Sequence, residues 1–180
     1  VFDVGTGIGK YYAVNVPLRD GITDESYQSI FRPVVTRLIE FFRPTAIMLQ
    51  CGADSLIGDR IGSFNVSTHG HGACVSFVKS FGIPMLVVGG GGYTKTSVAR
   101  CWCYETSLIC GVDLEDEMPE TDYMHLFRPS YKLHLTPGKM ENLNSDEYLQ
   151  NIMSYIFENV RHIPCAPSVQ MQELPPRRHF

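Results

Sequence analysis

No stretch of the 180 residues approaches the roughly 18 or more consecutive apolar positions that a membrane-spanning helix needs, so no such helix is expected. Basic residues are few: 15 Lys and Arg stand against 19 Asp and Glu, a formal charge of −4. They are scattered rather than gathered into a patch, which gives no basis for direct nucleic-acid binding. The six cysteines (51, 74, 101, 103, 110 and 165) lack the spacing and density of a disulfide framework and point to free thiols in a reducing compartment. No secretory signal opens the chain, and Val1 reads as a cut rather than a natural start. Nucleotide fingerprints are missing as well. G-x-G-x-x-G would need glycine where Thr94 or Lys95 stands, and there is no G-x-x-x-x-G-K-[ST]. With 44% hydrophobic residues the chain suits a single soluble, intracellular domain, or most of one.

What the chain does have is Pro84-Met85-Leu86-Val87-Val88 followed by Gly89-Gly90-Gly91-Gly92-Tyr93-Thr94. The apolar run reads as a fully buried strand. The glycines admit positive φ and a close approach by a ligand. Tyr93 falls at the carboxyl end of that strand, where open α/β sheets form their ligand crevice. It either donates its hydroxyl into a pocket or anchors a tight turn.

The remaining segments are punctuated clearly. Residues 1–10 are a glycine-rich loop, and 11–18 (YYAVNVPL) read as a strand ending at Pro17. Thr23 caps a helix to about Phe42, with Tyr27, Ile30, Phe31, Val34, Leu38 and Phe41 at helical spacing and a kink or break at Pro33. Ala46–Gln50 is a second buried strand. Ser67 or Thr68 opens a helix to about Phe81, Thr94 or Ser97 opens another carrying Val98, Trp102 and Leu108, and Ser145 caps a last one to about Arg161. Strand and helix in alternation predict a parallel sheet with helices on its faces. The acidic run 113–120 reads as a solvated loop, 122–144 as irregular, and 164–180 as extended or tail.

Asp54, in Gly52-Ala53-Asp54-Ser55, lies past a strand on the same sheet edge as Tyr93; it is either a ligand for a borderline cation such as zinc or the cap of a turn. Asp59 and Arg60 form a loop-holding ion pair, or Arg60 faces an anionic partner. His69 and His71 have no acidic companion nearby and read as surface or capping residues, while Cys101 and Cys103 fall on different helix faces, as core packing requires. Catalytic zinc takes three protein ligands, and Asp54 is the single convincing one here. Either no metal binds or the other ligands lie outside the chain.

Several strings together resemble a class I histone deacetylase: 10–21 (KYYAVNVPLRDG), 49–56 (LQCGADSL), Gly58-Asp59-Arg60, 89–94 (GGGGYT), 98–102 (VARCW) and 164–172 (PCAPSVQMQ). The resemblance runs from residue 1 to about 172, leaving 173–180 as a tail, and covers the carboxyl part of that family's catalytic domain. It implies a three-layer α/β/α arginase/deacetylase-like fold with a mostly parallel sheet. It also implies an enzyme that uses Zn2+ to hydrolyse ε-N-acetyl-lysine on histone tails and other proteins, in the nucleus and also the cytoplasm, within corepressor complexes. Asp54 would be a zinc ligand, and Tyr93 the catalytic donor to the acetyl carbonyl. Gly91 and Gly92 would wall the lysine channel, with Ile61 at its rim. Tyr12 would lie near a structural K+ site, and Arg60 would contact an anion such as inositol phosphate. Thr96 and Ile8 depart from the family's basic residues, so inositol-phosphate regulation is not expected. The family's tandem-histidine pair and its Asp-x-His occur nowhere in this sequence, so the fragment alone is expected to be inactive. The alternative is a non-catalytic scaffold subunit, against which the presence of both Asp54 and Tyr93 argues.

Overall fold

The computed structural model describes residues 3–163. Helix α1 (Asp24–Phe42) leads into strand β1 (Ile47–Gln50) and a 3-10 turn (Ala53–Ser55). Helix α2 (Thr68–Lys79), strand β2 (Met85–Val88), helix α3 (Lys95–Cys110) and helix α4 (Asp146–Val160) follow, with two further 3-10 turns at Gly7–Gly9 and Met124–Phe127. The strands pair in parallel, Ile47 opposite Met85 through Gln50 opposite Val88. The α/β expectation holds. Helix starts fall where side chains can satisfy free N–H groups: Thr23, Ser67 and Ser145 accept from Ser26, Gly70 and Tyr148.

The main core joins α1 to α4. Ile30 and Val34 pack with Ile22, Val66, Leu149, Ile152, Ile156 and Val160, as the helical spacing required. A smaller cluster of Ala53, Leu56 and Cys101, flanked by Val98, Trp102 and Leu135, lies directly behind the 3-10 turn that carries Asp54.

Three expectations are corrected. Residues 11–18 form no strand among the described residues. Their backbone has no ladder partner, while Tyr11, Val14, Val16 and Leu18 pack their side chains on the main core. Pro33 sits inside one continuous helix and does not end it. The two strands are not fully buried: Met48 and Leu86, opposite each other in register, are 74% and 60% exposed. Strand side chains alternate between faces, and among the described residues one face of this pair is uncovered. The acidic run 113–120 is largely exposed, as expected of a solvated loop, and is tied down at two points. The backbones of Glu117 and Lys132 form an isolated antiparallel bridge, and Asp116 pairs with Lys132 at 3.2 Å and accepts from the backbone N–H of His134 at 3.0 Å. The tail, the boundary at 172 and the motif 164–172 lie outside the described residues.

Candidate active site

Two loops leave the carboxyl ends of β1 and β2 and stay paired beyond the strands. The Cys51 N–H donates to the Val88 carbonyl at 2.8 Å, and the Ala53 N–H donates to the Gly91 carbonyl at 2.7 Å. This continuation sets the 3-10 turn carrying Asp54 against the glycine loop that precedes Tyr93. A Cβ at Gly91 would stand 2.1 Å from one Asp54 carboxylate oxygen, so only glycine allows that approach. Gly92 takes φ +136°, outside the range an L side chain tolerates, and turns the chain into Tyr93.

The Asp54 carboxylate has no hydrogen bond or ion pair among the described residues, and neither has the Tyr93 hydroxyl. Tyr93 is 46% exposed, with Ile61 exposed on the neighbouring loop. A partly buried, unpartnered carboxylate walled by glycine is a donor that fits a zinc ion. It supplies one ligand of the set. A cavity of about 210 Å³ behind the turn is lined by Gln50, Cys51, Gly52, Asp54, His71 and Cys74 among others; Tyr93 lies outside it.

Asp59 is not paired with Arg60. One of its carboxylate oxygens accepts from the N–H groups of Ile61 (2.9 Å) and Gly62 (3.0 Å). The other accepts from those of Tyr93 (2.7 Å) and Thr94 (3.2 Å). Burial is the largest single influence and opposes the charge, but the four N–H donors together outweigh it and hold this carboxyl below its ordinary range. Backbone donors thus take the place of the expected guanidinium. Arg60 is exposed and has no ion pair among the described residues.

His71 is neither a surface nor a capping residue. Its Nε2–H donates to the Gly52 carbonyl at 2.9 Å, and its Nδ1 meets the carboxylate of Glu105 on α3. A carbonyl and a carboxylate both accept, so both ring nitrogens carry hydrogen and the ring is an imidazolium. Burial works against that charge, but hydrogen bonds involving Cys101 and Glu105 prevail and raise the pKa to about 10. His71, Cys101 and Glu105 bring their ligand atoms within 4.8 Å of one another, the donor types of a metal site. The direct histidine–carboxylate contact closes that space, and we read it as an ion pair. From the other side, Trp102 Nε1–H donates to the Cys51 carbonyl at 2.7 Å.

His71, Glu105, Asp59 and Trp102 were not assigned site roles from sequence. Their partners are backbone groups or residues tens of positions away, which spacing does not report. Of the remaining candidates, Cys101 is buried and Cys103 exposed, as their helix faces required. His69 is exposed and stacks on His134 with ring centroids 3.7 Å apart. Tyr12 lies elsewhere, edge-on to Phe42 at 6.1 Å between centroids.

The sequence profile described as "Histone deacetylase domain" matches residues 1–109, and the chain belongs to the histone deacetylase family. It is 56% identical over 173 residues to histone deacetylase 1 of Homo sapiens, covering 96% of this chain and 36% of that protein. It is 56% identical to histone deacetylase clr6 of Schizosaccharomyces pombe (96% and 43%) and 54% identical to histone deacetylase HDAC1 of Drosophila melanogaster (96% and 33%). The chain thus spans about a third to two fifths of the length of these curated relatives.

Proposed function

We propose that the protein carrying this chain hydrolyses ε-N-acetyl-lysine on histone tails and other proteins with a bound zinc ion, and so contributes to transcriptional repression in the nucleus. Residues 1–172 would be the carboxyl part of its catalytic domain. The observation that carries this reading is the unpartnered Asp54 carboxylate held against the loop that delivers Tyr93, in a chain whose relatives are named histone deacetylases.

Amide hydrolysis needs an activated water and a charge sink for the oxyanion of the acetyl carbonyl. Zinc supplies both when bound, by lowering the pKa of water and polarising the carbonyl. Asp54 contributes one ligand, and the others come from outside this chain. Tyr93 donates its hydroxyl to the developing oxyanion. Gly91 and Gly92 leave room for the lysine stem, and Ile61 lines the rim. Tyr12 lies near a structural K+ site. Corepressor subunits are the expected partners, and a cytoplasmic share is consistent with protein substrates other than histones.

The test is zinc content and acetyl-lysine peptide hydrolysis, on this chain and on the longest natural chain containing it. Activity in the longer chain alone, abolished by Asp54→Asn and lowered roughly 100- to 1,000-fold in kcat by Tyr93→Phe, is the expected outcome. Near-normal turnover in Tyr93→Phe overturns the role given to that residue. Activity in the 180 residues alone overturns the ligand count, and inactivity in both overturns the catalytic reading.

A further inference from the structure

The carboxylate of Asp59 joins two loops that the chain separates by about thirty residues. Its first oxygen folds its own loop around the Ile61 and Gly62 amides, and its second holds the Tyr93 and Thr94 amides. A second tie runs the opposite way, from the Thr94 hydroxyl to the Gly58 carbonyl at 2.9 Å. The backbone of Tyr93 is therefore fixed by a neutral bond and a charge-assisted one at its neighbour Thr94 and by a charge-assisted bond at the residue itself. Such bonds are shorter and about twice as strong as neutral ones. They matter here because the Tyr93 side chain is exposed and has no partner of its own among the described residues. No hydrogen bond holds the hydroxyl among the described residues, so its place depends on how the backbone beneath it is held.

We propose that Asp59 is a positioning residue for the hydrolytic reaction. It holds the Tyr93 hydroxyl at the reacting carbonyl and keeps the Ile61 rim in register with it. The inference rests on the role given to Tyr93 above. It also explains why an acidic residue stands next to Arg60 without pairing to it: all four of its hydrogen bonds run to main-chain N–H groups.

The experiment is a double-mutant cycle in the full natural protein, with kcat, KM and zinc content measured for Asp59→Asn, Tyr93→Phe and the pair. Asparagine keeps the size and one acceptor oxygen. Asp59→Asn is expected to lower kcat about 10- to 100-fold. KM should stay within about twofold and zinc content should not change. In the Tyr93→Phe background the same substitution is expected to cost less than about threefold, since the group it positions is gone. An equal loss in both backgrounds, or no loss in either, overturns the proposal. Should Asp59→Asn fail to fold, seen as lost zinc and a collapsed melting transition, Thr94→Val cuts the second tie and leaves Asp59 in place. Its kcat loss should likewise vanish beside Tyr93→Phe, and persistence there overturns the proposal. If Tyr93→Phe alone keeps normal turnover, the role of Tyr93 falls and this inference falls with it. The failure of Asp59 alone would leave the Tyr93→Phe defect standing.

Discussion

His71 and Glu105, on different helices and 34 positions apart, form a buried ion pair, and the free edge of the histidine ring grips the Gly52 carbonyl two residues before Asp54. The loop bearing the candidate ligand therefore rests on a charge pair inside the protein.

That pair makes stability depend on pH in a defined direction. The folded protein raises the His71 pKa from 6.5 to about 10, after burial, which opposes it, is outweighed by the Cys101 and Glu105 hydrogen bonds. Folding thus favours the protonated ring. Its contribution is complete below 6.5, declines as pH rises, and is gone above about 10. His71→Gln in the full protein leaves Glu105 buried without a cation, which costs about 3–5 kcal/mol. Denaturant midpoints of wild type and variant should differ most at and below about pH 6.5 and converge toward pH 10. A pH-independent difference would contradict the charged pair.

Gly91→Ala puts a methyl group onto the Asp54 carboxylate, at a contact of 2.1 Å. The carboxylate must swing aside, and misplacement of about 1 Å at a reacting centre costs about 100-fold in rate. We expect the full protein with this change to keep its melting temperature within a few degrees and to lose both zinc and turnover. Retention of both would show that the carboxylate does not need this position.

Met48 and Leu86 form an apolar pair on the uncovered sheet face. The 180-residue chain alone should self-associate through it in sedimentation velocity, and Met48→Lys with Leu86→Lys should restore the monomer. In the full protein, where we propose that the rest of the catalytic domain covers this face, the same double change should destabilise by at least about 3 kcal/mol. No effect in either setting would mean the face is free in both.

Arg60 stands exposed and without an ion pair among the described residues, with Lys95 exposed at the first position of α3, while Thr96 and Ile8 bring no charge. An inositol polyphosphate should therefore bind the full protein more weakly than about micromolar at moderate salt, measured by titration calorimetry. Tighter binding, lost on Arg60→Gln, would overturn this.

The parts of the site that could be read from sequence are those that lie along the strands. Asp54 and Tyr93 each follow an apolar run, and parallel pairing brings the ends of such runs together, so the meeting of the Asp54 turn with the glycine loop before Tyr93 was legible. The α1, α2 and α4 caps were legible for the same local reason: the hydroxyl and the amide it satisfies are three residues apart. Residues 11–18 carry strand chemistry but find no ladder partner among the described residues, and composition cannot report a missing neighbour. His71 offered no signal because the residue that charges it stands on another helix. Asp59 misled in a different way: the adjacent arginine suggested an ion pair, whereas its true partners are amides, which every residue except proline has.

Trp102 is the single tryptophan of the chain; its indole N–H is bonded to Cys51, and its ring lies over Gly89. One chromophore thus touches the outgoing ends of both strands. Its emission maximum and quenching report whether those ends are closed on each other, so a loosening of this junction in the 180-residue chain can be followed by light, with no label added.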